Sequence, residues 1–326
     1  MLKKDKTKPF RIMGSGDTTD PESPTNPTDP TAEDTPKNCE DMLMNCAISK
    51  LKADRTPIPD NRFTLPPEYG VNGGGPSDAF NGHEYVDLGL PSGTLWAKMN
   101  VGAESETDAG LYFAWGETQG YTASQVGTDK NFSPEDYALT EDGGSTFTKY
   151  NAIDGKTTLD LEDDAAHVNM GGDWHMPNNA QYFELLKETK NGFVTNEGAF
   201  IQYTWDNTEG YSSTTETTAT ISNWDTEGYF FFKNTYTSVT DAISAEDYLF
   251  IPAAGSCGDG EISEAIVVWS SFLNTRNIGD AWYFSSSPIR ANVIKDARFF
   301  GQSVRGVVGQ MDEITPGGGG ESGPIK

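Results

Sequence analysis

Organised hydrophobic patterning begins at Gly82, and it predicts strands first. Residues 83–103 read as a strand, a Pro-Ser-Gly turn and a second strand, which is typical of a β-hairpin. The second strand carries three apolar residues on one face, namely Leu95, Ala97 and Met99. Residues 110–118, GLYFAWGET, follow as a third strand whose aromatic side chains can fill a core.

A helix is predicted after a long polar stretch. Residues 121–158 are polar and rich in turn residues, so we interpret them as an insertion loop. Pro177 and Asn178 then begin a helix. Its inner stripe consists of Tyr182, Phe183, Leu185 and Leu186. Strands and helix together predict an α+β fold.

The segment 269–307 has no helical period. Its Ser-rich turns alternate with aromatic, charged and β-branched residues, which predicts short strands and exposed loops that form a surface. Within it, strand alternation places side chains on two faces. One face holds Asp280, Trp282 and Phe284, and the other holds Ala281, Tyr283 and Ser285. We expect one face to pack and one to meet a partner.

The remaining chain divides into tails and linkers. Residues 1–16 are a basic N-terminal segment, 17–37 a Pro/Thr/Asp-rich linker, 56–81 a Pro/Gly-rich connector and 309–326 a flexible Gly-rich tail. Residues 38–55 show apolar residues at helical spacing and predict a short amphipathic helix. Such a helix is too short to stand alone, so it either packs on its own domain or serves docking or oligomerisation.

Composition limits the partners. The chain of 326 residues has a net charge of -26, which repels phosphate backbones and anionic lipid surfaces. We therefore expect no nucleic-acid partner. No run approaches the ~20 apolar residues needed to span a bilayer, and no apolar run of signal-peptide length follows the basic start. We expect no membrane insertion.

Candidate metal chemistry is sparse. The three histidines, His83, His167 and His175, have no metal-ligand spacing, and we interpret them as structural. The acidic stretch 161–167 offers oxygen ligands for calcium, but a solvated acidic turn is the favoured interpretation. Lectin sugar sites place Asn, Asp and Glu around calcium with a nearby Trp, and the stretches TWDN at 204–207 and NWD at 223–225 resemble this pattern weakly. We expect no cofactor, with calcium as the alternative.

Candidate catalytic chemistry is equally sparse. The chain has three cysteines, and Cys257 is the one that falls in the organised part. Nothing near Cys257 in sequence would lower its pKa, so the thiol is expected to be inert. No Ser/His/Asp order or paired-carboxylate motif is present, and the sequence predicts a protein that is not an enzyme.

Several motifs occur in an order that resembles a known domain. They are HEYVDLGLPSGTLWA, YFAWGET, DAAHVNMGGDWHMP, FIPAAG, VWSS and RFFGQSVRGV. In this order they resemble the C-type lectin fold of the formylglycine-generating-enzyme subtype, which is widespread in gut Bacteroidetes and their phages. The resemblance covers residues 82–308. Departures are local, since His175 stands for the usual Arg, Asn178 for Thr and Gly306 for Pro.

The resemblance implies a C-type lectin-like ligand-binding domain. Members of this fold include target proteins of diversity-generating retroelements, whose variable segment lies between a Trp-Ser-Ser opening and a Gly-x-x-Val-Arg close. Here that segment is 269–305. Its expected framework residues are Trp269, Ser271, Gly301, Val304 and Arg305. Its expected contact residues are Asn274, Arg276, Asn277, Ile278, Asp280, Trp282, Tyr283, Ile289, Arg290, Asn292, Ile294, Lys295, Phe299 and Phe300.

The function implied by the resemblance is that of a receptor-binding protein or adhesin. We expect a phage tail protein, located in the virion, that binds a protein or glycan receptor on a Bacteroidetes host. Its N-terminal segment would attach to other virion tail proteins or form a homo-oligomer such as a trimer. The alternative is a bacterial cell-surface or secreted adhesin of the same fold, and a divergent formylglycine-generating-type enzyme is the third interpretation.

Overall fold

A computed structural model describes residues 79–309, except for the side chains of residues 215–218. The predictions for residues 1–16, 17–37 and 38–55 lie outside the described residues, as do most of the 56–81 connector and nearly all of the 309–326 tail. The described chain is rich in β-strand with a few short helices, which confirms a β-rich α+β fold.

The strands alternate with short helices and turns. The strands of the described chain are β1 Ala79–Phe80, β2 His83–Val86, β3 Leu95–Asn100, β4 Tyr112–Phe113, β5 Thr140–Glu141, β6 Thr146–Phe147, β7 Lys190–Val194, β8 Ala199–Asp206, β9 Tyr211–Thr220, β10 Gly228–Phe232, β11 Tyr248–Pro252, β12 Ser256–Gly258, β13 Glu261–Ser263, β14 Ile266–Leu273, β15 Asp280–Ser287, β16 Arg290–Ala297, β17 Gln302–Ser303 and β18 Arg305–Val308. The helices are α1 Ala165–Met170, α2 Asn179–Glu188 and α3 Val239–Ser244, with 3₁₀ turns at Ala123–Gln125, Pro134–Asp136 and Leu161–Asp163. Over residues 79–309, no helix has the length and apolar character required to cross a membrane.

Two larger sheets organise the strands. The 4-stranded sheet has the order β1-β2-β3-β18, so the first and last described strands lie in the same sheet. The 10-stranded sheet has the order β11-β10-β7-β8-β9-β16-β15-β14-β17-β4. The predicted hairpin is confirmed, because β2 pairs with β3 antiparallel. The predicted third strand is shorter than expected, since the chain turns at Gly116 with a φ of 81°.

Helix α2 begins where the sequence predicts. The Asn178 side-chain oxygen accepts a hydrogen bond from the backbone N–H of Gln181, and the Gln181 side-chain oxygen accepts one from the backbone N–H of Asn178, both at 2.9 Å. Tyr182, Leu185 and Leu186 are buried as expected. Phe183 is only half-buried and packs against Trp205, while Gln181 and Glu184 are buried instead. The Glu184 carboxylate accepts hydrogen bonds from the backbone and hydroxyl of Ser92.

The core lies on both sides of the strands β14 and β15. One cluster contains Trp115, Trp174 and Trp269, and the other contains Trp96 and Tyr182 under helix α2. Burying large aromatic side chains of this kind supplies most of the hydrophobic stabilisation.

The domain begins before Gly82. Ala79 and Phe80, which the sequence analysis assigns to the connector, pair with β2. The Phe80 side chain is buried, and its carbonyl accepts a hydrogen bond from the indole N–H of Trp174 at 2.9 Å. These two residues are therefore part of the fold.

The insertion loop 121–158 adds to the core. It has little regular structure, as predicted, but Phe132, Tyr137 and Tyr150 are buried. The buried ammonium of Lys130 donates to the Glu117 carboxylate at 3.0 Å. Because these side chains are buried, the insertion loop packs as part of the domain core.

Candidate ligand-binding site

The predicted framework of the segment 269–305 is buried at both ends. Trp269 is fully buried, and its indole N–H donates to the carbonyl of Phe113 at 2.8 Å. Val304 and Ser271 are buried too. A Cβ on Gly301 would come within 2.7 Å of the Phe132 ring, so the close approach requires glycine. The prediction that the apolar framework residues Trp269 and Val304 pack is confirmed, whereas Gly301, expected to supply a turn, instead allows a close approach to Phe132.

Arg305 closes the segment through its guanidinium. It donates to the Asn100 side chain at 2.9 Å and to the carbonyls of Ala97, Lys98 and Phe250 at 2.7–3.0 Å. Burial lowers the pKa of Arg305 to about 10, so the group stays charged at neutral pH. Four acceptors around a buried cation fix β18 against β3 and β11.

Strands β15 and β16 follow the predicted alternation. Tyr283 pairs with Ile294, and both face the cluster around Trp269. Trp282 pairs with Lys295 and packs with the second cluster. The Lys295 ammonium lies 5.2 Å from the centre of the Trp282 ring. Both faces of these strands are covered in part, so neither is a free, flat surface.

The predicted contact residues lie in three places. One group lies in the loop 274–280 and at residues 299–300, at one end of strands β15 and β16. A second group lies along the middle of these two strands. Ile289 and Arg290 lie in the turn at the opposite end. Seven residue steps separate the two ends of β15, which at about 3.3 Å each is about 23 Å. One small ligand therefore cannot contact both ends.

The loop 274–280 is held by its own polar side chains. Asn277 and Asn274 donate to the Asp280 carboxylate at 2.9 and 3.4 Å. The Asn274 side chain is buried, and its oxygen accepts from the backbone N–H of Arg276. These groups stabilise the turn, while the Arg276 side chain is exposed.

Arg298 anchors this end of the segment, a role that was not predicted from the sequence. Its buried guanidinium donates to the Tyr137 hydroxyl at 2.9 Å and to the carbonyls of Tyr150, Ile278 and Lys149 at 3.1–3.2 Å. It also lies over the rings of Trp115, Tyr137, Phe147 and Tyr150. The loop 274–280 is thereby joined to the insertion loop. No sequence pattern indicated this, because the partners are far apart in the chain.

The opposite turn is the more exposed end. Ile289 is 70% exposed, and Arg290 is also exposed. The Arg290 guanidinium lies 5.3 Å from the centre of the Tyr211 ring on β9. The backbone N–H of Thr214 donates to the Ile289 carbonyl at 3.4 Å. This apolar and cationic tip is therefore supported by the neighbouring strand.

A cleft of about 500 Å³ lies beside the middle of the segment. Tyr283, Ser285 and Asp296 line one side together with Phe300, and the β12–β13 hairpin lines the other. This hairpin was not among the predicted elements, although the sequence contains a turn signal for it. Asp259 and Gly260 form its turn with φ values of 51° and 79°, as Asp-Gly does in tight hairpins.

The hairpin is fixed on both of its edges. Cys257 exchanges backbone hydrogen bonds with Gly301 at 2.7 and 2.9 Å. The backbone N–H of Gly260 donates to the carbonyl of Asn131 in the insertion loop at 2.8 Å. The cleft therefore has rigid walls, one from the 269–305 segment and one from outside it.

The cleft is acidic and partly desolvated. Burial raises the pKa of the Asp296 carboxyl, and the negative charge of Asp280 raises it further. Burial raises the pKa of the Tyr283 hydroxyl to about 12, with a smaller effect from Asp296. Burial also raises the pKa of the Cys257 thiol to about 12, which disfavours the thiolate at neutral pH.

Two carboxylates of the stretch 161–167, together with the neighbouring Asp160, form ion pairs with Lys149. Asp160, Glu162 and Asp163 bring their oxygens within 4.8 Å of one another. The Lys149 ammonium lies 3.2 Å from Asp160 and 2.9 Å from Glu162, and it pairs with Asp163 as well. The Lys149 ammonium therefore balances part of the negative charge of this cluster.

Two of the three histidines contact the backbone through their side chains. The Nδ1 atom of His175 lies 3.0 Å from the carbonyl of Met176, and its backbone exchanges hydrogen bonds with Val307. The Nδ1 atom of His167 lies 3.1 Å from the carbonyl of Trp174. These contacts agree with a structural role.

Comparisons with known proteins leave the family open. No family model matches the chain, and no curated protein or solved structure matches it either.

Proposed function

We propose that the chain is a receptor-binding protein with a C-type lectin-like fold, carried on a phage tail that attaches to a Bacteroidetes host. The segment 269–305 supplies the residues that contact the receptor. The N-terminal segment, with the amphipathic helix predicted at 38–55, attaches the domain to other tail proteins or joins copies of the chain, for example in a trimer. The motif order along residues 82–308 supports this assignment of fold and function.

One observation carries the proposal. The segment has a buried framework at both ends, at Trp269 and Arg305, while Arg276, Ile289 and Arg290 between them are exposed on braced loops. Arginine and large apolar side chains contribute strongly to protein interfaces. A rigid frame keeps such side chains in place without requiring their identity for folding, which suits a surface that varies.

The proposal is tested by binding of the purified, labelled chain to a panel of gut Bacteroidetes strains. Ile289→Ala and Arg290→Ala together remove the exposed tip, and Arg276→Ala removes the side chain at the other end. We expect one of these two variants to lose binding at least tenfold, because the ends lie about 23 Å apart and one receptor contact is centred on one end.

Ile153→Ala is the matched control. Ile153 is 95% exposed in the insertion loop and lies outside the segment 269–305. Unchanged binding by both segment variants on every strain that binds the wild-type chain would contradict the proposal. Detection of the chain in the bacterial envelope, and its absence from purified phage particles, would favour the bacterial adhesin instead.

A further inference from the structure

The cleft beside Tyr283 has the composition of a site for a cation. Three carboxylates line it, from Asp259, Glu261 and Asp296, and no Lys or Arg is among its lining residues. Its volume of about 500 Å³ lies in the range of small-ligand sites, which is roughly 300–1,000 Å³. A ligand that enters this cleft meets uncompensated negative charge in a partly desolvated setting.

Two polar side chains in the cleft have hydrogen-bonding capacity that the described residues leave unused. The Tyr283 side chain is 8% exposed and lines the cleft, and among residues 79–309 its hydroxyl has no hydrogen-bond partner. The Asp296 carboxylate accepts one hydrogen bond, from the backbone N–H of Ala297 at 2.8 Å, and forms no ion pair with the described residues. The buried Tyr283 side chain therefore presents an unpaired hydroxyl to the cleft, and the half-buried Asp296 carboxylate keeps an acceptor oxygen there, so a ligand that donates hydrogen bonds fits both groups.

The arrangement favours an organic cation over a metal ion. Among the described residues, the group of carboxylates close enough to share an ion is the one at Asp160, and the cleft carboxylates are not close enough. The cleft also has apolar walls, formed by Ile262, Val267 and Phe300. Apolar walls with a charged end match a methylene stem that carries an ammonium or guanidinium group.

We propose that this cleft binds the side chain of a lysine or arginine of a partner protein. Asp296 accepts hydrogen bonds from the cationic group, Tyr283 contributes its hydroxyl and the face of its ring, and Phe300 packs on the stem. The inference rests on the proposed function only in naming that partner as the receptor. A sugar receptor without a cationic group does not satisfy this chemistry.

The test uses the full chain, labelled with ¹⁵N, and small probes. Nα-acetyl-lysine methylamide and Nα-acetyl-arginine methylamide are titrated and followed by chemical-shift changes at Gly258, Ile262 and Phe300. Nα-acetyl-norleucine methylamide has a similar stem without charge. Glucosamine and calcium chloride are titrated separately to distinguish an amino sugar and a metal ion.

Two variants and one control complete the experiment. Asp296→Asn keeps the shape of the side chain and is expected to weaken both cationic probes about tenfold or more, since a charge-assisted hydrogen bond is lost. Tyr283→Phe keeps the ring against Trp269 and is expected to weaken them less. Asp173→Asn removes one exposed carboxylate outside the cleft and is expected to leave the affinities unchanged.

Each outcome decides the inference. Binding of the two cationic probes without the norleucine analogue, and its loss in Asp296→Asn, supports it. Equal binding of the norleucine analogue, unchanged affinity in Asp296→Asn, tighter binding of glucosamine, or calcium ions shifting the same residues overturns it. If the probes fail while the loop variants still lose attachment to cells, this inference falls and the proposed function stands. If the probes bind while the loop variants attach normally, the cation site stands and the proposed function falls.

Discussion

Two buried arginines brace the candidate binding segment, Arg298 beside the loop 274–280 and Arg305 at its C-terminal close. Arg298 and Arg305 each have several acceptors, mostly backbone carbonyls, around a fully buried guanidinium. A guanidinium is suited to this role because it presents five donors in a fixed plane. Since a buried charge is costly without partners, such sites persist only where the surrounding backbone supplies them.

Arg298→Ala should destabilise the protein by about 3 kcal/mol or more, because three carbonyls and a hydroxyl lose their donor and a cavity remains. Arg298→Lys should cost less, since it keeps the charge but not the fork of donors. Chemical denaturation of both variants measures the effect, with Arg276→Ala as the exposed control. A loss below 1 kcal/mol for Arg298→Ala would show that the bracing is not needed.

The affinity of the cleft for a cation should fall as the pH is lowered. Burial and the neighbouring charge of Asp280 raise the pKa of Asp296, so its carboxylate is protonated at a higher pH than an ordinary Asp. The hairpin faces it with Asp259, Glu261 and Cys257, and its own sheet with Tyr283. Titration of the lysine probe from pH 7 to pH 4 measures this effect.

The raised pKa of Asp296 also predicts the direction in which its charge changes the free energy of unfolding. A carboxyl whose pKa is raised in the folded state destabilises the fold when ionised, and it does so less as the pH falls through that pKa. Asp296→Asn should therefore leave stability at neutral pH unchanged or increase it. A marked fall in the unfolding midpoint of this variant would argue that Asp296 is paired in the fold.

At the scale of elements, short hairpins outside the segment decide the shape of the site. The β12–β13 hairpin forms one wall of the cleft, and its turn rests on the insertion loop. The strands β15 and β16 form the other wall with one face and pack under helix α2 with the other. The site is thus a junction of the hairpin, the strands β15 and β16, and the insertion loop, which is distant from both in sequence.

Gly260→Ala should weaken binding of the lysine probe and lower stability by about 1 kcal/mol or more, because Gly260 has a φ of 79° and an added Cβ would lie 3.1 Å from Gly127. Gly143→Ala is the matched control. Gly143 has a φ of 65° in another hairpin, and nothing lies within 4 Å of an added Cβ. An equal fall in lysine-probe affinity in both variants would show that the effect does not come from the β12–β13 wall of the cleft.

At the scale of the whole molecule, the first and last described strands meet in the 4-stranded sheet. Phe80 packs with Trp174 in the main core cluster, at a ring distance of 5.9 Å. The fold is therefore completed by residues at both ends of the described range. This placement also defines where a truncation becomes harmful.

A fragment that begins at residue 79 should unfold as cooperatively as the full chain, whereas one that begins at Gly82 should be less stable by about 3 kcal/mol or more. The second fragment lacks the buried Phe80 side chain and leaves the Trp174 indole N–H without its partner. Thermal unfolding of the three proteins measures the difference. Equal midpoints for the two fragments would contradict the importance of Phe80.

The sequence by itself determined the features that depend on neighbours along the chain. The β2–β3 hairpin, the start of α2 at Asn178 and the alternation along β15 are all confirmed. The packing of Trp269 and Arg305 also agrees with the prediction made from the motifs. Local patterns fix these features because side-chain period and capping act over a few residues.

The tertiary structure alone decided which of the predicted contact residues are accessible. Alternation assigned Tyr283 to a face, but only the approach of the β12–β13 hairpin covers that face and forms the cleft. Arg298 became an anchor because the carbonyls of Lys149, Tyr150 and Ile278 converge on it. Such contacts join residues far apart in the chain, and a periodic pattern carries no information about which distant segment will cover a given face.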